Sequence, residues 1–453
     1  MSIILTDKKQ NFIFLITKSL YLFAIFAFMF NSILPGIGGR TGKGIGVLEL
    51  VLIFTFFWII IFEGKFYTIK NNTSLIMNGI ILLFVFYFII IGLIAQQIYS
   101  LPLSEFIIAI APAIRTVIYA FFYFIGVHIY IKDKEYIKKV IKFMIFFILI
   151  HFLYGVIQFM AYEFKVPDPS LLPYTGLRVD LAGDIYEYMN PIPTGFTARS
   201  FTLANYGLVL VCISLSLIGI NQSLSMKVKY FLLLIIGYLT VLVTFRRSQL
   251  VVVALVTLIY IILSRMKRFK KIVFLITILI VLTLPFAFIE YIYEISPVYA
   301  NRIQSIISFI KLNWSDPNLR TLKEGRIQGT WENYFGFFSE YPLGTGLHPV
   351  SIFSSTVDNA YLLYLTWGGF LGLILFIALV LTPIALSLNT FKNFKITTSL
   401  PSLILIILIS ATIILTSIAG GSAFSEVVRA PFWIFLAYFM VNDYKIRIRN
   451  KSI

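Results

Sequence analysis

Long apolar runs recur along almost the whole chain, and they restrict the fold more than any other feature of the sequence. A helix needs about 20 consecutive apolar residues to cross the hydrocarbon core of a bilayer. Measured against that length, the sequence predicts about twelve transmembrane helices, at 11–33, 45–63, 74–97, 105–131, 140–162, 201–220, 229–246, 248–264, 272–292, 357–387, 399–419 and 428–443. Only 13% of the 453 residues are charged, and 59% are hydrophobic. We therefore predict an all-α polytopic membrane protein that forms one integral membrane domain over residues 1–453.

The basic residues indicate which ends of these helices face the cytoplasm. The chain has 37 Lys and Arg residues against 20 Asp and Glu, for a net charge of +17. Most of the basic residues fall in short segments that are cytoplasmic if the N-terminus lies inside, as the positive-inside rule requires. Both termini are therefore predicted to be cytoplasmic. Because membrane topology accounts for the positive charge, no nucleic-acid partner is predicted.

Two long polar segments, 163–200 and 293–356, are predicted to be loops on the opposite, external side. A loop as long as the second is either functional or disordered, and its aromatic content argues against disorder. The external basic residues are mostly arginine, whereas the cytoplasmic ones are mostly lysine. Since the planar guanidinium group binds phosphate bidentately, we interpret this difference as a sign of phosphate binding.

Four external arginines are candidates for such a phosphate site. Arg199 comes directly before a predicted helix, whose free backbone N–H groups would also attract an anion. Arg246 and Arg247 lie between two predicted helices that are joined by almost no turn, and Arg326 lies in the second long loop. The alternative for Arg246 and Arg247 is an interfacial anchor that reaches toward lipid headgroups. For Arg199 it is a capping segment with an interfacial arginine, and for Arg326 it is packing of the loop on the membrane surface.

Other polar residues lie within or beside the predicted helices. Arg115 falls near the middle of its helix, where a charge is unfavourable unless it is paired or hydrated. It forms either an ion pair inside the bundle or a contact to a lipid-linked anion. Trp331 either provides a flat surface for a sugar ring or packs its loop on the membrane surface. His151 and Gln158 share one helix face, and we expect them to be hydrogen-bonded inside the bundle.

A helix is predicted to begin at Asp358 and Asn359, where Asp is a common N-cap residue. Asn359 and Tyr361, at this end of the helix, are candidates for contact with a sugar or a lipid. Farther along, Gly368, Gly369 and Gly372 have the spacing of close helix packing, and we assign them no other role.

The sequence offers little for metal binding. Cys212 is the single cysteine of the chain and lies within an apolar run. Neither an internal disulfide nor a cysteine-based metal site is therefore predicted.

Four motifs occur in an order that resembles one known family. They are FTARSFTLANYGLVL; TFRRSQLVVVAL; the pair Arg326 and Trp331 followed by YPLGTG; and VDNAYLLYLTWGGFLG. Together they are similar to the C-terminal signature of the Wzy-type O-antigen polymerases and the related O-antigen ligases. The resemblance covers about 199–372, and the first part of the chain matches only in its topology.

The resemblance implies a GT-C-like membrane glycosyltransferase. Such an enzyme would invert the anomeric centre and take undecaprenyl-diphosphate-linked oligosaccharides as substrates, with no metal, nucleotide or other cofactor. The family implies that the diphosphate is held by Arg199, by Arg246 or Arg247, and by Arg326. The implied reaction polymerises repeat units into O-antigen or a similar surface polysaccharide. It would take place on the external face of the bacterial cytoplasmic membrane, where a chain-length-regulating co-polymerase is an implied partner.

Such a transfer also needs a base near the acceptor hydroxyl. The ligases have a His at the start of the helix that here begins with Asp358 and Asn359, whereas His348 lies earlier in the loop. The ligase pattern is therefore not met, which favours a polymerase. Asp358 is our first candidate for the base, with His348 and Glu332 as alternatives.

Two other functions stay open at this point. A ligase would differ from a polymerase only in its acceptor. A flippase of the same lipid-linked sugar would be expected to show paired or inverted repeats, and we find none in the sequence.

If Asp358 is the base, Asp358→Asn lowers turnover about 10²- to 10⁴-fold, because the amide cannot accept the acceptor's proton. Binding of the lipid-linked substrate should change little. Measuring kcat and substrate affinity for Asp358→Asn and His348→Gln tests this assignment. Unchanged turnover in Asp358→Asn, together with a loss in His348→Gln, would assign the base to His348.

Overall fold

The structure, a computed structural model, is built mainly from α-helices. It describes residues 7–30, 36–37, 45–98, 103–168, 171–172, 178–179, 185–186, 193–196, 200–218, 223–244, 246–264, 271–272, 274–276, 294, 304, 307–308, 336, 339, 341–344, 359–393, 400–419 and 429–451. The helices in these ranges are α1 (Asp7–Met29), α2 (Val47–Trp58), α3 (Asn72–Ile98), α4 (Leu103–Lys132), α5 (Tyr136–Phe164), α6 (Ser200–Ile218), α7 (Leu224–Thr244), α8 (Arg247–Leu263), α9 (Ala360–Asn393), α10 (Leu400–Ala419) and α11 (Arg429–Lys451).

The strands in the described ranges are short. β1 (Gly36–Ile37) pairs antiparallel with β2 (Ile45–Gly46), and Gly36 lies opposite Gly46. β3 (Arg178–Val179) pairs antiparallel with β4 (Ile185–Tyr186), and Arg178 lies opposite Tyr186. Each strand has two residues, so these pairs act as local turns and not as a sheet that could organise the core.

The described helices confirm the all-α polytopic fold. Among them, 7 contain a span long and apolar enough to cross a membrane, in α1, α3, α5, α6, α7, α9 and α10. Shorter apolar spans lie in α4 and α8. Each predicted segment overlaps a helix, except 272–292, most of which lies outside the described residues. Most of the two predicted loops, 163–200 and 293–356, also lies outside them.

The outer surface of α3 is apolar. Its exposed residues include Leu75, Leu82, Leu83, Phe86 and Ile90. A large apolar surface is unfavourable in water but suits the hydrocarbon of a bilayer, where only internally hydrogen-bonded backbone is tolerated. This face of the helix is therefore the one that contacts lipid.

Polar contacts define one end of the helix bundle. Lys18 of α1 pairs with Asp133, in the turn between α4 and α5, with Nζ and Oδ2 3.2 Å apart. Lys445 of α11 donates to the backbone carbonyl of Tyr130 in α4 at 3.5 Å. The start of α1 and the ends of α4 and α11 thus lie together, and we call this the Lys18 end.

The opposite end gathers a second set of helix termini. Thr390 donates to Asp443 of α11 at 2.8 Å, which places the end of α9 at the Lys18 end and its start at the other. The hydroxyl group of Tyr206 in α6 donates to the carbonyl of Met29 at 3.0 Å, so α1 ends where α6 begins. Since α7 leads into α8 there through Arg246, we call it the Arg246 end.

A buried carboxylate ties three elements together toward the Lys18 end. Glu63 closes a π-helical extension of α2, and its side chain is only 4% exposed. It contacts His128 Nε2 at 3.0 Å, the ammonium group of Lys132, and the hydroxyl group of Thr17 at 2.5 Å. A buried charge is tolerated when it is paired and hydrogen-bonded in this way, so the cluster fixes α2 against α1 and α4.

α9 is interrupted at Gly369, which has φ 60° and ψ −162°. The backbone of Pro342, Leu343 and Gly344 packs into this interruption. A Cβ atom on Gly344 would lie 2.5 Å from the Gly369 nitrogen and 2.6 Å from the Trp367 carbonyl oxygen. No side chain fits at such distances, so the turn around Gly344 and the interruption in α9 form one backbone-to-backbone contact.

This contact corrects the sequence interpretation of the three glycines. Gly368 and Gly372 do pack closely on α3, where a Cβ atom on Gly368 would lie 2.8 Å from the ring of Phe88. Tyr87 of α3 also donates to the Gly368 carbonyl at 2.6 Å. Gly369, however, has a left-handed conformation that ends the first part of α9. Spacing alone could not separate these roles, because both require glycine.

We expect Gly369→Ala to destabilise the fold severely, because it adds a clash with Pro342 to an unfavourable backbone conformation. Gly64→Ala is a matched control, since Gly64 also has φ +64° but a Cβ atom there meets nothing within 4 Å. That variant should cost about 1–2 kcal/mol from backbone strain alone. Gly79→Ala, in open space within α3, should be neutral or slightly stabilising. Thermal unfolding in detergent ranks the three, and equal losses in Gly369→Ala and Gly64→Ala would argue against the contact.

Candidate functional site

Arg246 is the N-cap residue of α8. Its backbone is extended, with φ −79° and ψ 104°, and its carbonyl accepts the first helical hydrogen bond from Leu250 at 3.1 Å. The Arg246 side chain makes no capping hydrogen bond at this helix end, and it is exposed. Arg247 is the first helical residue, and its side chain lies outside the described part of the chain. Free N–H groups at a helix start, the helix dipole and a guanidinium group together favour binding of an anion.

Close helix packing positions α7 and α8. A Cβ atom on Gly207 of α6 would lie 2.9 Å from the carbonyl oxygen of Gly237 in α7. The hydroxyl groups of Tyr238 in α7 and Thr257 in α8 are hydrogen-bonded at 2.6 Å. These positions are not recognisable from the sequence, because single glycines within apolar runs carry no information on which helix packs against them. The contacts hold the segment with Arg246 at a defined place relative to the start of α6.

A short turn before α6 is held from one side by α5. The Gln158 side-chain oxygen accepts hydrogen bonds from the backbone N–H groups of Thr194 and Gly195, both at 2.8 Å. His151 Nδ1, about two turns earlier on the same face of α5, accepts from the N–H group of Phe196 at 3.2 Å. Gly195 has φ +62°, a conformation in which glycine is strongly preferred.

These bonds confirm that Gln158 is a satisfied buried polar group, as the sequence suggested. The partner is nevertheless a turn of the first long loop and not a neighbouring helix. His151 is likewise buried, and its ring stacks on Phe30 with centroids 4.9 Å apart. The two side chains therefore anchor the segment that leads into Arg199 and α6.

The start of α9 is capped by Asn359. Its side-chain oxygen accepts from the N–H groups of Tyr361 at 2.9 Å and Leu362 at 3.2 Å. Its amide group donates to the carbonyl of Ile418 in α10 at 3.1 Å. The capping role that the sequence suggested for Asp358 thus belongs to Asn359, because only its side chain combines an acceptor for the helix with a donor for α10.

Tyr361 makes a second contact between the same helices. Its hydroxyl group donates to the carbonyl of Ile414 at 2.8 Å, and its ring meets that of Phe376 edge to face. Both Asn359 and Tyr361 therefore fix α10 against the start of α9. Their contact with a sugar or a lipid stays a prediction.

Several predicted site residues lie outside the described part of the chain: Arg199, Arg326, Trp331, Glu332, His348 and Asp358. The backbone of Arg115 lies in α4, but its side chain is not among those described. The roles of these residues stay predictions. Within the described residues, no group of 3 or more His, Cys, Asp and Glu side chains is placed to hold a metal ion.

The fold defines a polytopic membrane protein whose Arg246 end carries polar and basic groups. Residues 231–377 match the family model Wzy_C, described as O-antigen ligase. No curated protein matches the chain. The matched segment contains Arg246, the Gly344 turn and the start of α9.

The match supports membership of the O-antigen ligase/polymerase superfamily and rests on this segment of the chain. The family implies a membrane protein that handles glycans in the manner of O-antigen ligases and polymerases, and suggests a glycosyltransferase-like enzyme.

Gln158→Met should lower the stability of the protein. It leaves two buried N–H groups without their acceptor, and each such loss costs about 1–3 kcal/mol. Gln97→Met is a control on the exposed surface of α3, where a substitution should change stability by less than about 0.5 kcal/mol. Thermal unfolding in detergent compares the two. Equal stability of both variants would show that the bonds to Thr194 and Gly195 contribute little.

Proposed function

We propose that the protein is a metal-independent, inverting glycosyltransferase. It polymerises undecaprenyl-diphosphate-linked oligosaccharide repeat units into O-antigen or a similar surface polysaccharide. The observation that carries the proposal is the position of Arg246, an exposed basic residue at an uncapped helix start within the segment that matches the family. Such a start suits the diphosphate of a lipid carrier.

In the proposed reaction, the bond between the anomeric carbon and the diphosphate oxygen breaks. The acceptor hydroxyl oxygen forms a new bond to that carbon from the opposite side, which inverts the centre. The electron pair of the broken bond leaves with undecaprenyl diphosphate, and the acceptor's proton passes to a base. Fixed positive charge stabilises the leaving diphosphate, a role we assign to Arg199, Arg246 or Arg247, and Arg326.

Asp358 is our preferred base, and it directly precedes the cap residue Asn359. Asn359 is 7% exposed and held by three hydrogen bonds. The residue that follows Asp358 in the chain is therefore fixed in position. A catalytic group works best on such a rigid support. His348 and Glu332 are the alternative bases.

The remaining assignments concern the glycan and the lipid. Trp331 would stack on a sugar ring, and Arg115 would contact the lipid-linked anion within the membrane. Asn359 and Tyr361 would border the same space at the start of α9.

The site would face the periplasm or the exterior of the bacterial cytoplasmic membrane, with both termini in the cytoplasm. The Lys and Arg residues in the short segments at the Lys18 end support this orientation, according to the positive-inside rule. A chain-length-regulating co-polymerase is the expected protein partner.

A ligase is the second candidate, since the matching family model carries that description. The presence of Asp358 and not His before Asn359 favours the polymerase. A reconstituted assay separates the candidates: purified protein is mixed with a lipid-linked repeat unit in the presence of EDTA, and the products are resolved on a gel. A ladder supports a metal-independent polymerase. A single addition to a separate acceptor indicates a ligase, and translocation without product indicates a flippase.

Arg246→Ala and Arg247→Ala should each lower the rate of polymer formation. The arginine that contacts the diphosphate should show the larger loss, about 10²- to 10³-fold, which is the usual effect of removing one group that stabilises a leaving anion. Arg246→Lys should keep part of the activity, because it retains the charge but not the bidentate geometry.

Lys227→Ala is the matched control, since it removes an exposed positive charge from the other end of α7. Initial rates of polymer formation at equal protein amounts measure the effect. Full activity in both arginine variants would rule out a diphosphate role for this pair.

A further inference from the structure

Gln249 is a buried polar residue that the proposed mechanism does not yet use. It lies in the first turn of α8, three residues after the cap residue Arg246, and its side chain is fully buried. Its side-chain oxygen accepts a hydrogen bond from the Ser248 hydroxyl group at 2.8 Å. The amide group therefore lies beside the same uncapped helix start that carries the two arginines.

Among the described residues, the Gln249 side-chain nitrogen has no hydrogen-bond partner. A side-chain amide has two N–H donors. If the amide were turned over, Ser248 could accept only one of them, so at least one N–H group lacks a partner in either orientation. An unpaired buried donor is unfavourable by about 1–3 kcal/mol. In the part of the chain that the structure describes, Gln249 and Asn71 are the two side-chain amides whose nitrogen is buried without a partner.

Gln158 shows how a similar residue behaves when its role is structural. It too is fully buried toward the Arg246 end of the bundle. Its oxygen binds two backbone N–H groups, and its nitrogen donates to the Thr194 hydroxyl group at 3.3 Å. The fold thus gives both the oxygen and the nitrogen of this buried glutamine a partner, whereas the Gln249 nitrogen has none within the described residues.

We propose that the Gln249 amide is a substrate-binding group that donates a hydrogen bond to the diphosphate of the lipid carrier. The inference rests on the proposed function, and it adds a neutral donor to the arginine set. An anionic phosphate oxygen is the partner that an unpaired N–H group at a helix start favours most. Because the amide is buried, binding of the substrate must uncover it.

The proposal predicts different effects on stability and binding. Gln249→Met has a similar size. It removes the unpaired donor but also loses the hydrogen bond from Ser248, so its unfolding temperature should stay close to that of the wild type. Its dissociation constant for undecaprenyl diphosphate should rise about 10- to 100-fold, as expected for a lost hydrogen bond to a charged group. Gln158→Met, the matched control, should lose thermal stability.

The experiment measures thermal unfolding without ligand and titrates undecaprenyl diphosphate in detergent micelles, with phosphatidylglycerol in a parallel titration. A loss of stability in ligand-free Gln249→Met as large as that in Gln158→Met would show that the side-chain nitrogen has a structural partner and would overturn the proposal. Unchanged affinity for undecaprenyl diphosphate in this variant would also overturn it. The proposal would also be overturned if Gln249→Met lost affinity for phosphatidylglycerol and for undecaprenyl diphosphate by the same factor. The amide would then recognise lipid phosphate in general.

The same data separate this inference from the proposed function. If the wild type binds undecaprenyl diphosphate and forms polymer, and Gln249→Met behaves identically, only the assignment of Gln249 fails. If the wild type neither binds the lipid nor forms polymer, the proposed function fails and the inference fails with it.

Discussion

Inside a bilayer, every backbone N–H and carbonyl group must find a partner within the protein, and this constraint organises the described structure. An interruption in a membrane helix is tolerated only where other protein atoms fill it. At Gly369 the turn around Gly344 does this, and Tyr87 satisfies the neighbouring carbonyl of Gly368. The same constraint explains why Asn359 and Gln158, each with both donor and acceptor atoms, lie where loops meet helices. Functional segments can then leave regular secondary structure without unfolding the bundle.

The two ends of the bundle use polar side chains differently. At the Lys18 end, charges are paired with one another: Lys18 with Asp133, and Glu63 with His128 and Lys132. At the Arg246 end, the described polar groups bind backbone atoms of turns and helix starts, and one amide, that of Gln249, keeps an unpaired donor. Paired charges stabilise a structure. The exposed side chain of Arg246, at the start of α8, is accessible to an anionic ligand. This difference supports a substrate site at the Arg246 end.

Much of the fold was predictable from the sequence, because bilayer thickness sets the length of an apolar run. The position of Arg246 between two helices was predictable as well, since two adjacent arginines are unfavourable inside a membrane span and indicate its end. The cap at Asn359 and the role of Gly369 were not. Asp and Asn are both common caps, and three glycines in one turn look alike, so their roles depend on which element packs against them. Gln249 was not predicted to be a site residue, because a glutamine next to two arginines is typical of a polar helix end.

The sequence by itself thus determined the membrane class, the order of the helices and the family resemblance, because these follow from the composition and order of short segments. Only the tertiary structure decided how the helix ends are joined: that the Gly344 turn fills the interruption in α9, that α5 anchors the turn before α6, and that Gln158 is satisfied while Gln249 is not. Such contacts join residues far apart in the chain. Their geometry depends on how the helices pack, which the pattern of any one segment does not contain.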